Sequence, residues 1–149
     1  MTQGNEMNRG SNPSEVEQQT LRELAASVQP EVHDFSNEWD AFSVIFTVAS
    51  GLNGLTLQQV DPVFYVKSGA FAPAVFSRHA LEEPAVRYVE ARSNGRPFDM
   101  AVVFFTYDTD SKGIVTRVFW DNDAVTFLVN PDSWASVAQA ANPYREKKA

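Results

Sequence analysis

The strongest structural signal in the sequence is residues 98–120, FDMAVVFFTYDTDSKGIVTRVFW, in which two runs of alternating apolar and polar residues flank a turn at 110–113. Alternation with a period of two is typical of strands, and Asp at the first and Gly at the fourth turn position favour a three-residue hairpin loop. Such a loop predicts that Asp110 faces Ile114 and that Phe104 faces Trp120. The even-numbered side chains would then form one apolar face, and the odd-numbered side chains a mixed face.

The segments on both sides of this hairpin carry helix and strand patterns. A capping box over 14–17 predicts the start of a helix, which Pro30 is expected to end. Asn94-Gly95 predicts the end of a later helix whose clearest part begins at Pro84. The remaining predictions are strands at 39–48, 55–60 and 63–67, an optional strand at 125–129, and a last helix after the cap Asn130-Pro131-Asp132.

Together these elements predict an α+β fold in the order α-β-β-β-α-β-β-(β)-α. We expect an antiparallel sheet of about five to six strands with helices packed on one face. The length of 149 residues corresponds to one domain. Residues 1–13 are expected to be a disordered leader, residues 14–143 the single domain, and residues 144–149 a solvated tail.

The composition excludes several function classes. The chain carries 12 basic and 19 acidic residues, a formal charge of −7, which repels nucleic-acid phosphates and anionic membranes. Cysteine is absent from the sequence, which excludes disulfides and thiolate chemistry. The polar N-terminus has no apolar core of a secretory signal, and no apolar run approaches the roughly 20 residues of a membrane helix. We therefore expect a cytoplasmic protein that contacts neither nucleic acid nor membrane.

Four carboxylates near the hairpin resemble a divalent-metal site: Asp108, Asp110, Asp121 and Asp123. A calcium loop needs a bidentate Glu at its twelfth position, but counting from Asp108 this position is Phe119. The predicted hairpin also separates Asp121 and Asp123 from the turn by roughly 15–30 Å. Neither histidine has metal-binding spacing, and no nucleophile elbow or phosphate loop is present. The sequence thus predicts no metal, no cofactor and no catalytic residue, and the chain is not expected to be an enzyme.

The odd-numbered face of the sheet is a candidate binding surface. It would be aromatic and half-polar if no helix covers it, which is a composition typical of interface cores. The alternative is that a helix or the leader lies across it. Together with two acidic residues that follow the hairpin, this face supplies the predicted partner-binding set: Trp39, Phe105, Tyr107, Arg117, Phe119, Asp121 and Asp123.

Several features occur in a recognisable order: an N-terminal helix ending in Pro30, a strand opened by Glu38-Trp39-Asp40, a middle helix, a hairpin with 104–108 and Gly113, and then Phe119-Trp120-Asp121. This layout, over about residues 15–125, resembles the YezG-like family of bacterial immunity proteins, which neutralise secreted polymorphic toxins. The resemblance implies a non-catalytic acidic protein that binds a cognate toxin domain. A basic toxin domain is the partner that the negative charge favours, because charge complementarity steers encounter.

Two other functions stay open. The element order also resembles the small acidic type III secretion chaperones, which dimerise and hold an extended effector segment, so a homodimer is compatible with this alternative. The third function is a small α+β enzyme or ligand-binding domain with a cone-shaped pocket, using His79 or an Asp as a general base. This third alternative is disfavoured because the predicted even-numbered face offers only Thr106 and Thr116 as polar groups.

Overall fold

The computed structural model describes residues 15–33, 39–74, 78–108 and 113–145. In this part of the chain the strands form one antiparallel sheet in the order β3-β2-β1-β4-β5. The predicted α+β fold with an antiparallel sheet is confirmed. The elements are α1 (Glu15–His33), β1 (Ala41–Gly51), β2 (Gly54–Tyr65), β3 (Phe71–Pro73), α2 (Arg78–Ser93), β4 (Met100–Asp108), β5 (Ile114–Trp120), α3 (Asn122–Val125) and α4 (Trp134–Ala140).

The β1–β2 hairpin closes at a turn over residues 51–54. Gly51 lies opposite Gly54, and Gly54 has a φ of 100°, a conformation that glycine adopts without steric cost. Thr47 pairs with Gln59 whereas Val48 pairs with Leu57, so one extra residue of β2 forms a bulge between them. The bulge is absorbed inside a long hairpin and does not end it.

The predicted strand break at Asp61-Pro62 is wrong, because β2 runs without interruption to Tyr65. The backbone N–H of Ala74 donates to the carbonyl oxygen of Pro62 at 3.0 Å. The N–H and C=O groups of one strand residue point to the same side, so the nitrogen of Pro62 also points towards β3. The missing N–H therefore removes no hydrogen bond from the β1–β2 ladder.

Two apolar cores lie on opposite faces of the sheet. On the helical face, Phe42, Val44 and Phe46 of β1 pack against α1 and α2. On the C-terminal face, Ala41 and Ile45 pack against residues 122–145, the C-terminal segment, which includes α3 and α4. The prediction that helices pack on one face is therefore wrong. The physical reason is that β1 and β4 are apolar at both odd and even positions, which is typical of strands buried on both faces.

The register of the β4–β5 hairpin differs from the prediction by three residues. Phe104 lies opposite Arg117 rather than Trp120. The hairpin closes with the N–H of Asp108 donating to the carbonyl oxygen of Gly113 at 3.0 Å. Because three is an odd number, the even-numbered side chains of β5 share the helical face with the odd-numbered side chains of β4. Both parities of β4 are buried, so there is no separate mixed face.

Several predicted boundaries also need correction. α1 continues through Pro30 to His33. α2 begins at Arg78, so Pro84 lies inside the helix, which is held by buried side chains on both sides of it. Residues 125–129 form no strand, because α3 ends at Val125 and irregular chain follows. Tyr144 is buried in the C-terminal core rather than solvated. The predicted leader, Ser14 of the capping box, and residues 146–149 lie outside the described residues.

Candidate partner-binding surface

β5 forms one edge of the sheet. In the described part of the chain, its one strand neighbour is β4. The two strands pair without a bulge, and β5 contains no proline and one charged residue, Arg117. A regular edge strand rich in β-branched and aromatic residues is the type to which another extended chain adds most readily. The outward side of this strand is called the β5 edge below.

Every second residue of β5 turns its backbone groups outward. The N–H of Asp121 donates to the carbonyl oxygen of Met100 at 2.8 Å, and Gly113 accepts from Asp108 at the other end. Odd-numbered residues of β5 therefore face β4, and alternate residues of an antiparallel strand face the opposite side. The outward N–H and C=O groups belong to Ile114, Thr116, Val118 and Trp120.

Side chains on the helical face fix β5 to α2. The hydroxyl groups of Thr116 and Tyr88 are 2.8 Å apart, and Arg92 donates to the Tyr88 hydroxyl at 2.7 Å. At the end of the strand, the rings of Trp120 and Phe98 contact edge to face, with their centroids 4.9 Å apart. These contacts hold β5 against the helical layer. The outward N–H and C=O groups of the strand lie on the side away from β4.

Aromatic contacts fix β5 on the C-terminal face. Phe119 packs between Phe104 and Phe127, with ring centroids at 5.1 Å and 4.4 Å. The guanidinium of Arg117 lies 5.1 Å from the centroid of the Phe104 ring and donates to the carbonyl oxygen of Ala140. The cation is thus oriented by a ring face and a backbone acceptor together.

A small cleft, the aromatic cleft, lies at the Trp120 end of the β5 edge. It has a volume of about 160 Å³. Asp121 forms part of its rim and has a φ of 52°, a left-handed conformation that is uncommon for residues other than glycine. Its carboxylate accepts from the N–H groups of Asp99 at 2.7 Å and Met100 at 3.3 Å, which hold this conformation. The lining consists of Ser93, Arg96, Pro97, Phe98, Trp120 and Asp121.

A larger cleft, the basic cleft, lies at the other end of β5, against the C-terminal segment. It has a volume of about 320 Å³. The hydroxyl of Thr106 in its wall is 2.7 Å from that of Ser43, and the guanidinium of Arg145 donates to the carbonyl oxygen of Asn142 at 2.7 Å. Two arginines and one aspartate supply the charge of the lining: Thr106, Asp108, Gly113, Val115, Arg117, Ala141, Pro143 and Arg145.

The seven predicted partner-binding residues do not share one face. Phe105 is only 1% exposed, in the core of the helical face, and Tyr107 packs against the same core. Trp39 stacks on Phe64 there, with ring centroids 5.1 Å apart. Arg117 and Phe119 lie on the other face of the sheet. The expected aromatic surface is therefore split, because the register that united it is wrong.

The two predicted acidic residues lie close together on the surface. Asp121 and Asp123 are both exposed, with Asp121 directly before α3 and Asp123 in its first turn. Asp108 lies at the opposite end of β4, beside Gly113. These carboxylates are thus separated along the hairpin, and Asp110 lies outside the described residues. Among the residues that the structure describes, no group of three or more His, Asp and Glu could hold a metal ion.

Two groups on the C-terminal face titrate away from their ordinary values. Burial raises the pKa of Asp61, although a hydrogen bond from Gln59 opposes this shift. One carboxylate oxygen of Asp61 is buried and has no hydrogen-bond partner in the described structure. Burial also raises the pKa of Tyr65, whose hydroxyl donates to the carbonyl oxygen of Ala138 at 2.8 Å. Tyr65 is therefore a neutral structural donor that ties β2 to α4.

The sequence patterns did not identify those surface residues whose position depends on the order of strands in the sheet. Val115 is 63% exposed beside the basic cleft, and Arg145 reaches that cleft from the C-terminal segment. Thr116 belongs to the outward-facing set only because β5 is an edge strand. The sequence did contain one signal of an edge that can bind another chain. Residues 114–120 include no proline and a single charged residue, whereas exposed edge strands are usually protected by proline or by several charges.

The described helices include none that is both long and apolar enough to pass through a bilayer. No family model, curated protein or solved structure matches the chain. The β5 edge and its two clefts are therefore the features that bear most directly on function.

Proposed function

We propose that this chain is a non-catalytic protein-binding module of the immunity type, which neutralises a toxin domain by binding it. The observation that carries the proposal is the β5 edge. Its four outward N–H groups and four outward C=O groups can form a hydrogen-bonded ladder with an extended segment of another protein. The choice of a secreted toxin as the partner rests on the resemblance to YezG-like proteins. The proposed mode of binding rests on the β5 edge.

No strand in the described part of the chain pairs with the β5 edge, and an edge of this kind favours a dedicated partner. A regular strand with outward backbone groups pairs with any available extended chain, which makes it a source of aggregation unless it is protected. β5 lacks the proline, the bulge and the run of charges that ordinarily prevent such pairing. A role in binding explains why β5 carries none of these protective features.

The charge of the chain supports a basic partner. The formal charge of −7 creates a negative field that accelerates encounter with a positively charged domain. Asp121 and Asp123, exposed beside the Trp120 end of β5, place part of that charge next to the proposed contact. Electrostatic attraction of this kind raises the association rate more than the final affinity.

A chaperone that holds an extended effector segment is the second candidate, and the same edge favours it. Strand addition needs an extended chain, which an unfolded effector segment supplies directly, whereas a folded toxin must present a strand or loop of its own. The two functions therefore predict the same contact and different partners.

The test is co-expression with the product of an adjoining toxin or effector gene, followed by measurement of the dissociation constant. Thr116→Pro removes an outward N–H and places a ring on the β5 edge without removing a bond to β4. We expect it to weaken binding by at least about 100-fold. Thr116→Ala is the matched control, because it also loses the hydroxyl contact with Tyr88 but keeps the outward N–H.

Both variants must first show the same thermal unfolding midpoint within a few degrees. Equal affinities of Thr116→Pro and the wild type would place the interface elsewhere and refute the proposed surface. A wild-type homodimer that Thr116→Pro dissociates would show that a second copy occupies the edge, which also contradicts the proposal. Rescue of cells from the toxin supports the immunity function, and binding to the unfolded effector alone supports the chaperone.

A further inference from the structure

We propose that the partner segment runs antiparallel to β5 and carries an aromatic side chain followed, five residues later, by a carboxylate. The aromatic side chain fills the aromatic cleft, and the carboxylate enters the basic cleft. This inference rests on the proposed function and adds the chemistry of the segment that is recognised.

The two clefts lie at opposite ends and on opposite faces of β5. Trp120 and Phe98, which line the aromatic cleft, pack on the helical face. Val115 and Arg117, which line the basic cleft, are odd-numbered residues of β5 and project to the C-terminal face. An added strand passes both clefts, because each is lined by residues of the edge strand itself.

The spacing follows from the period of the strand. Directly opposed residues of paired strands share a face, so the partner residue opposite Trp120 projects towards the aromatic cleft and the one opposite Val115 towards the basic cleft. These positions are five residues apart, or roughly 17 Å at about 3.3 Å per residue. Five is odd, so the two partner side chains point to opposite faces, as the clefts require.

The aromatic cleft fits one ring. Its volume of about 160 Å³ is close to the roughly 150 Å³ of an engineered cavity that holds benzene. Phe98 and Trp120 offer ring surfaces, which favour aromatic partners in offset or edge-to-face contact. The polar rim residue Asp121 is already bonded to two backbone N–H groups, which keeps the cleft in one shape.

The basic cleft fits an anion. Its lining carries Arg117, Arg145 and Asp108, a local charge of about +1 in a chain whose total is −7. Arg117 is oriented by Ala140 and the Phe104 ring, and a guanidinium matches the geometry of a carboxylate. The total charge governs the approach of a basic domain, whereas this cleft selects a single acidic residue within the docked segment.

The direction of the added strand follows the rest of the sheet. All four strand pairs of the described sheet are antiparallel, and antiparallel pairing is slightly more stable per residue than parallel pairing. In that direction the partner residue opposite Trp120 precedes the one opposite Val115. The recognised segment therefore places its aromatic residue first.

The test uses fluorescent ten-residue peptides rich in threonine and valine, with phenylalanine at the third position and aspartate at the eighth. Binding to the wild-type chain is measured by fluorescence anisotropy. Four altered peptides serve as matched probes: alanine in place of the phenylalanine, asparagine in place of the aspartate, the aspartate moved to the ninth position, and the phenylalanine and the aspartate exchanged. We expect each altered peptide to bind at least about ten-fold more weakly.

Variants of the chain assign the contacts. Arg145→Gln should remove the difference between the aspartate and asparagine peptides, and Phe98→Ala should remove the preference for phenylalanine over alanine at the third position. Equal binding of all peptides, tighter binding of the exchanged peptide, or absence of binding at millimolar concentration would overturn the inference. The proposed function fails separately, if Thr116→Pro leaves the affinity of the full-length partner unchanged.

Discussion

The two edges of the sheet are built differently. β3 forms one edge with three residues, and β5 forms the other with seven. Ala74 donates to Pro62, so in β3 the outward positions are Phe71 and Pro73. Since proline has no N–H, the β3 edge presents one outward donor where the β5 edge presents four. A strand can add to one side of this sheet far more readily than to the other.

This difference leaves β5 as the side of the described sheet to which a further strand could be added. β3 is short and carries a proline at an outward position, and both features are established means of blocking strand addition. β5 has a regular register with none of these devices. The comparison can be tested by substitutions at each edge.

Trp120→Ala should have the largest effect on stability. The ring contacts Phe98 and packs against the core of the helical face, so its removal opens a cavity at the end of β5. We expect a loss of about 3 kcal/mol in the free energy of unfolding, the lower end of the range for large aromatic truncations. Denaturant unfolding measures it. Val115→Ala, at a 63% exposed position, is the control and should change the free energy by less than about 0.5 kcal/mol. Equal losses in both variants would show that β5 is not anchored from the helical face.

Asp61→Asn tests the strand that borders the protected edge. Because the pKa of Asp61 is raised in the folded state, that state binds its proton more tightly than the unfolded state. The free energy of unfolding therefore falls as the pH rises through the folded-state pKa, and the full penalty is present at pH 7. The asparagine variant removes the charge, so we expect it to be more stable than the wild type at pH 7 by up to about 1 kcal/mol.

The difference in the free energy of unfolding between the wild type and Asp61→Asn should vanish when the pH falls below the ordinary aspartate pKa of 3.8. Urea unfolding at a series of pH values measures it. A gap that is constant between pH 3.5 and 7 would contradict the buried carboxylate as its cause.

Pro73→Thr should have the smallest effect. It restores an outward N–H to β3, but the edge remains only three residues long. We expect a change below about 0.5 kcal/mol in stability, no change in affinity for the partner, and no self-association by analytical ultracentrifugation. Concentration-dependent association of this variant would show that Pro73 alone, and not the length of β3, protects this edge.

The longer helices and strands of this fold follow from the sequence, but several of their boundaries and their arrangement do not. The glycines at 51 and 54 define the β1–β2 hairpin, and the apolar pattern of 42–48 identifies its core face. The turn at 110–113 is compatible with more than one loop length, so its chemistry alone did not determine the register of β5. The apolar run 100–105 is also compatible with a strand buried on both faces, but the alternation around it predicted one apolar and one mixed face. Packing of the C-terminal segment on the second face decides the outcome.

Locating the candidate site required the strand order and the path of the C-terminal segment, which the local sequence pattern does not reveal. Arg117 and Asp121 were selected from the sequence and do line the two clefts. Arg145 and Thr116 were not selected. Arg145 reaches the cleft through the path of the C-terminal segment, and the backbone groups of Thr116 face outward only because of the strand order. Buried Phe105 shows the opposite error: an aromatic residue of a central strand has the same sequence pattern as one on an open face.

The covering of the second face by the C-terminal segment also constrains the order of events during synthesis. All five strands, up to Trp120, leave the ribosome before the residues that cover Val102 and Phe104. For that interval the nascent chain can fold the sheet against α1 and α2 while its other apolar face lacks its cover. A chain in which this segment has not yet packed exposes an apolar face together with the β5 edge, and intermediates with such surfaces are prone to aggregation.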